Sequence, residues 1–292
     1  MQPARRVPIL LVLALLAIST GAPFARWAAP APPIVIAALR VAIASVLLLG
    51  AGWREIATLG RIAPRDRPLV VLAGALLGVH FGSWIASLSF TSTAASVALV
   101  CTNPIFAALF GRLLGDRVAP RELAGMVIAA VGCAVLAGGD GWAGGDALIG
   151  DGLALIGSAS VAGYLVVGRR LRTSVVLLPY LGVVNAVAAI GLVLTALVVG
   201  APIAALPAHS YLACAGAALI ASFIGHSLLN ATVRITPTHL VALAVLGEPI
   251  GSSLITWAAF GEQSPLHVVL GGSIVLAGIV VGFVRRQASA AS

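Results

Sequence analysis

Two stretches of the chain, Thr91–Leu136 and Thr236–Ile279, repeat one another at an almost constant offset of 145 to 146 residues. At that offset Asn103-Pro104 falls on Glu248-Pro249, Gly115-Asp116 on Gly261-Glu262, Pro120 on Pro265, Gly125 on Gly271 and Gly132 on Gly278. Each copy closes a half of the chain that holds five long apolar runs. With an odd number of membrane crossings per half, the second half must enter the bilayer upside down relative to the first. Inverted pairs of this kind enclose a site at the middle of the membrane, between the two halves.

The runs themselves are 17 to 25 residues long, enough for a helix to cross a hydrocarbon core of about 30 Å. Barrel strands alternate in polarity and need only about 10 residues, so run length predicts helices. The expected spans are 7–27, 33–52, 68–90, 94–114 and 122–138, then 147–168, 174–199, 211–233, 238–260 and 266–283. Only 9% of the 292 residues are charged and 60% are hydrophobic, where a soluble domain carries about a quarter charged. The expected fold is an all-α membrane protein of ten transmembrane helices, arranged as two inverted five-helix repeats, 1–140 and 147–286, in a single membrane domain. Arg5 and Arg6 followed by an apolar run imitate a signal peptide. Cleavage there would break the repeat, so an uncleaved first helix is expected.

The net charge of +8 comes from 17 basic residues, and every one is arginine. Arg5, Arg6, Arg54, Arg61, Arg65, Arg67, Arg112, Arg117, Arg121, Arg169, Arg170, Arg172, Arg234, Arg285 and Arg286 fall on one side of the expected topology, Arg26 alone on the other. Such segregation predicts that both termini face the cytoplasm. The opposite loops carry Asp140, Asp146 and Glu262. No element bears the basic stripe of a nucleic-acid-binding face. Without lysine there is neither a Walker A loop nor a Schiff base to a cofactor. Cys101, Cys133 and Cys214 lie within apolar runs with no C-x-x-C spacing, and read as packing residues rather than metal ligands. No metal and no cofactor are expected. Trp27, Trp53 and Trp142 fall at expected helix ends, where indoles favour the headgroup region. Gly74, Gly78 and Gly82 form a small-residue ladder on the third span, and Gly278 and Gly282 repeat it on the last. These are packing faces, or faces along which helices slide.

Polar groups far from helix ends carry the functional information, because a charge at the bilayer centre costs about 2.5–3.5 kcal/mol on insertion scales. Glu248 lies near the middle of the ninth expected span and Arg40 within the second. Glu248 is a proton-titrating or amine-binding group, and Arg40 a carboxylate-binding or gate residue. Alternatively they pair with each other or with Asn185 and hold helices together. The repeat places His80 on His226 and Trp84 on Asn230, each pair spaced i, i+4 on one helix face. Ser83 and Ser227 stand beside them. Pro104 and Pro249 disrupt their helices at related depths next to Asn103 and Glu248, as either static kinks or substrate-binding breaks. Tyr164 on the sixth span adds an aromatic wall. Indole, imidazole, amide and one carboxylate in apolar surroundings suit a zwitterion or a small polar metabolite with an apolar part.

These segments, with their Asn-Pro and Glu-Pro steps and Gly-Asp and Gly-Glu turns, resemble the paired EamA-type repeats of the drug/metabolite transporter superfamily. Arg40, after Pro33, looks like that family's second-span arginine. The likeness covers essentially the whole chain. Within the superfamily it points to the YddG-type amino-acid exporters of the bacterial inner membrane. The resemblance implies ten helices, cytoplasmic termini, a central cavity and export of amino acids, aromatic ones included. Two departures stand out: Asp116 where the family often has glutamate, and His80 where an aromatic-selective relative would carry tyrosine.

The function expected is therefore an inner-membrane secondary transporter that exports amino acids or related metabolites by alternating access. His80, Trp84, Asn103, Tyr164, His226, Asn230 and Glu248 are the expected substrate contacts; Arg40, Pro104, Pro249 and Asn185 are gating or structural. One half rocking against the other would open the cavity to each side in turn. Its partners are a small-molecule substrate, the lipid bilayer and, if coupling is by proton antiport rather than facilitated diffusion, protons. A carrier of drugs or nucleotide sugars would share the fold. An intramembrane enzyme using His80/Ser83 or His226/Ser227 is the rival of another class. Adjacent helix residues point different ways, and no G-x-S-x-G or H-E-x-x-H is present, so no catalytic residue is expected.

Overall fold

The structure is a computed structural model that describes residues 3–91, 93–115, 117–137, 144–171, 175–233, 235–236, 238–260 and 266–283. Asp116, Asp140, Trp142, Arg172, Arg234, Gly261, Glu262, Pro265, Arg285 and Arg286 lie outside the described residues. Every regular element among the described residues is helical. Eight helices are long and apolar enough to cross a membrane, at 7–27, 33–51, 64–87, 95–113, 145–171, 177–198, 208–233 and 241–259. Their outer faces present large apolar side chains such as Leu109, Leu113, Ile190, Leu194 and Leu254. An exposed apolar surface on this scale is stable only against lipid.

Several expected spans are interrupted. The first is α1 (Pro3–Ile18) followed by α2 (Gly21–Trp27); the second is α3 (Pro33–Ala51) and the third α4 (Arg67–Ser87). The fourth breaks into α5 (Thr93–Val100) and α6 (Asn103–Leu113), and α7 (Pro120–Ala137) follows. In the second half α8 (Gly144–Leu171) and α9 (Leu177–Val198) are continuous. The eighth span is α10 (Ala208–Gly216), a π-helical stretch (Ala217–His226) and α11 (Ser227–Val233). The ninth breaks into α12 (Thr238–Val245) and α13 (Glu248–Phe260), and α14 (Leu266–Phe283) ends the description.

Between α3 and α4 the chain forms a 3₁₀ helix, Trp53–Arg61. Trp53, Ile56, Leu59 and Ile62 recur every third residue. A helix with three residues per turn aligns them on one stripe, where an α-helix would scatter them.

Packing follows the repeat, and it crosses between the halves. α8 leaves its own half to lie against α4, α5 and α6, while α1 and α2 lie against the π stretch, α10, α11 and α13. These two clusters are mirror counterparts, since the first and sixth spans, the third and eighth, and the fourth and ninth correspond in the repeat. α3 packs on α9, and α7 on α14, each helix against its own repeat mate.

Glycine decides the closest of these approaches. A Cβ on Gly125 would stand 2.6 Å from the Gly278 carbonyl oxygen, and one on Gly132 2.6 Å from the Val275 nitrogen. The glycines that align in the repeat therefore let α7 and α14 touch backbone to backbone. In lipid, where burial of apolar surface gives helices no reason to associate, this contact supplies the attraction. Gly74 likewise lets α4 close on α9, where a Cβ would stand 2.5 Å from Val187 Cβ and 2.9 Å from the Val184 carbonyl oxygen.

Candidate functional site

Three of the helix breaks have a common cause. Proline lacks an N–H, so the carbonyl four residues before it loses its helical donor. Pro23, Pro104 and Pro249 free the carbonyls of Ser19, Val100 and Val245. Each is answered by a side chain. Ser252 Oγ donates to Ser19 O at 2.9 Å, and Asn103 Nδ2 donates to Val100 O at 3.2 Å. Glu248 stands where Asn103 stands in the repeat, but a carboxylate has no hydrogen to give. There the Cys101 thiol crosses from the other break, 3.8 Å from Val245 O and 3.9 Å from Glu248 Oε2. The two breaks are thus linked through the Cys101 sulfur, with Pro104 and Pro249 buried at their edges and Glu248 partly exposed.

Between α3, α4, α8, α9 and the π–α11 segment lies a small cavity. Leu48, Leu77, Phe81, Tyr164, Leu181, Asn185, Ser222, His226 and Asn230 line it. It leaves about 10 Å³ for the centre of a water-sized sphere, which is room for about one water. The lining is mixed. Leucines come from α3, α4 and α9, Asn185 also comes from α9, and Ser222, His226 and Asn230 come one turn after another from the π–α11 segment. The Asn230 amide donates to His226 O at 2.7 Å and that of Asn185 to Leu181 O at 2.8 Å.

A second layer stands behind the lining. His80 Nδ1 lies 2.9 Å from Gly157 O; a carbonyl only accepts, so Nδ1 carries the hydrogen. The His80 ring stacks on Trp84 at 6.0 Å between centroids, with planes 9° apart. Phe81 separates the two histidines and meets His226 edge-on at 5.5 Å. Arg40, only 2% exposed, donates from Nε to Ser222 Oγ at 2.9 Å. Its Cζ sits 4.4 Å from the Phe81 ring centroid and 5.6 Å from that of Trp84.

Of the residues expected from the sequence, Tyr164, Asn185, His226 and Asn230 line the cavity. His80, Trp84 and Arg40 form the layer behind it. Asn103, Glu248, Pro104 and Pro249 belong to the linked helix breaks. The hydrogen-bond partner of Arg40 is Ser222, and Glu248 acts on it through space. Sequence reasoning passed over Ser222 and Phe81. Ser222 completes the series Ser222, His226, Asn230 at four-residue steps, one turn earlier than the pair picked out by the repeat. Phe81 adjoins His80 and looked like ordinary core. The π stretch carrying Ser222 and His226 has no counterpart in α4, its repeat mate, which is α-helical throughout. Such stretches occur often at functional sites.

An all-helical membrane fold with a polar cavity between intertwined repeats defines a class of membrane transporter. The EamA-like transporter family matches twice, over residues 6–138 and 148–284, and the chain belongs to it. It is 28% identical over 257 residues to the uncharacterised inner membrane transporter YedA of Escherichia coli K12, covering 86% of this chain and 81% of the relative. YedA of strains O6:H1 and O157:H7 matches to the same degree. A solved crystal structure superposes with a TM-score of 0.79 at 20% identity, covering 95% of this chain and 97% of that one, and shares the fold. The chain is a membrane transporter that handles small-molecule substrates within the bilayer.

Proposed function

We propose that this transporter exports amino acids with apolar side chains, aromatic ones included, across a bacterial inner membrane by alternating access. The observation that carries this reading is the mixed lining of the cavity, leucines together with hydroxyl, imidazole and amide groups. A zwitterion with an apolar side chain matches that mixture. One arginine, Arg40, stands behind the lining on Ser222, too little charge for nucleotide sugars, whose phosphates need concentrated positive charge. Ser83 donates its hydroxyl to Val79 O at 2.7 Å within its own helix, an arrangement that favours transport over serine chemistry.

Ten spans in two inverted repeats, over 1–140 and 147–286, accommodate the eight long apolar helices together with α7 and α14. The arginine segregation supports cytoplasmic termini at both ends, and the relatives are named as inner-membrane proteins. With room for about one water, the cavity must widen before an amino acid enters. The packing suggests which bodies move. They are the cluster of α4, α5, α6 and α8 and the cluster of α1, α2, α10 to α13, rather than the two sequence halves. α3 with α9 stands beside the cavity, and α7 with α14 braces the outside.

The test is uptake of labelled apolar amino acids into proteoliposomes, with Asn230→Leu and Tyr164→Ala as variants. We expect saturable uptake that both variants reduce at least tenfold. Failure of every amino acid, with movement of a drug or nucleotide sugar, would overturn the reading.

A further inference from the structure

Arg40 is a charge the cavity has not accounted for. Buried charges in a membrane protein pair with a partner or mark the path of a substrate. The Arg40 Nε is taken by Ser222, but Nη1 is buried without a hydrogen-bond partner. The Phe81 and Trp84 faces attract the cation, yet neither accepts an N–H in the plane of the guanidinium. Glu248 acts on Arg40 through space, but its Oε2 makes its contact with Cys101 Sγ at 3.9 Å, so it supplies no acceptor to Nη1. Gly21 of α2 lies across the guanidinium end with no side chain to press on it: a Cβ there would stand 3.3 Å from Nη1, 3.5 Å from Nη2 and 3.4 Å from Trp84 Cη2. A five-donor planar fork, with Nε held by a serine and Nη1 buried without an acceptor, is built to take a planar acceptor once the site opens.

We propose that Arg40 is the carboxylate-binding group of the transport site. When the cavity widens, the substrate's carboxylate docks on the Nη edge beside Ser222. Its apolar part then points toward Leu48, Leu77 and Leu181. One guanidinium and one hydroxyl balance a monoanion, not a phosphate dianion. Arg40 thereby selects substrates by their acid group and orients them in the cavity. The inference rests on reading the cavity as the transport site, and it adds that the acid group is obligatory.

The experiment measures binding to the purified transporter by thermal stabilisation. Its ligands are apolar L-amino acids, the same compounds as carboxamides, and the corresponding acids lacking the amine, leucine, leucinamide and 4-methylpentanoate being one set. We expect acids to bind the wild type and amides to bind about 10- to 100-fold more weakly, the range of a lost hydrogen-bonded charge contact. Arg40→Gln should erase the difference, and Arg40→Lys should keep part of it. Gly21→Ala covers the guanidinium edge without removing the charge and should weaken acids while sparing amides; it decides the matter if Arg40→Gln does not fold. Amides that bind the wild type as tightly as acids would overturn the role of Arg40 and leave the transport reading standing. Binding of the amine-free acids alone, abolished by Arg40→Gln, would uphold Arg40 and overturn the amino-acid reading. No stabilisation by any compound would overturn both.

Discussion

Asn103 and Glu248 occupy the same place in the repeat, yet they do different chemistry because an amide always has a hydrogen to donate and a carboxyl has one only when protonated. The Asn103 amide closes the Val100 carbonyl within its own break. Asn103→Asp keeps the size and removes the donor. It should lower stability by about 1–3 kcal/mol, the range for a buried group left unpaired. Thermal unfolding in detergent measures this. Glu248 faces a thiol and is partly exposed, a position from which it can exchange a proton with the pathway. We expect Glu248→Gln to flatten the pH dependence of transport in proteoliposomes. Wild-type transport by that variant at every pH would exclude Glu248 as a proton carrier.

Among the elements, the α7–α14 pair is fixed by glycines that tolerate no methyl group. Gly125→Ala would drive a Cβ into the Gly278 carbonyl and the Gly282 backbone. Overpacking of this kind costs about 1–3 kcal/mol. Gly50 is the matched control: it ends α3 on the exposed side, and a Cβ there meets nothing within 4 Å. Gly50→Ala should be neutral or stabilising by up to about 1 kcal/mol, since alanine is the better helix former. Opposite shifts in melting temperature would support this account of the pair. Equal shifts would refute it.

For the molecule as a whole, the packing of α8 against α4 to α6 and of α1 and α2 against α10, α11 and α13 makes a prediction about motion. A disulfide engineered between α4 and α8 lies within one cluster and should leave uptake intact. A disulfide between α6 and α12, which touch across the clusters, should block it until reduced. Uptake that responds in the reverse way would assign the motion to the sequence halves instead. Reporter fusions at both ends provide the topological check, with a cytoplasmic signal expected from each.

The membrane class, the helical spans and the repeat were legible in the sequence because each follows from local quantities: run length, arginine placement, and Gly and Pro spacing. The same spacing located the breaks at Asn103-Pro104 and Glu248-Pro249, since a missing N–H acts on its own helix wherever that helix packs. It could not say who answers the freed carbonyls. Ser252, Cys101 and Ser222 find their partners across 233, 144 and 182 residues, and only folding brings such distant groups within bonding range. For the same reason the sequence could offer only Glu248 or Asn185 as partners of Arg40, whereas tertiary packing set Ser222, Phe81 and Trp84 in direct contact with it and left Glu248 to act through space. Opposite charges attract over any path the chain allows, but which of them meet is decided by how the helices stack.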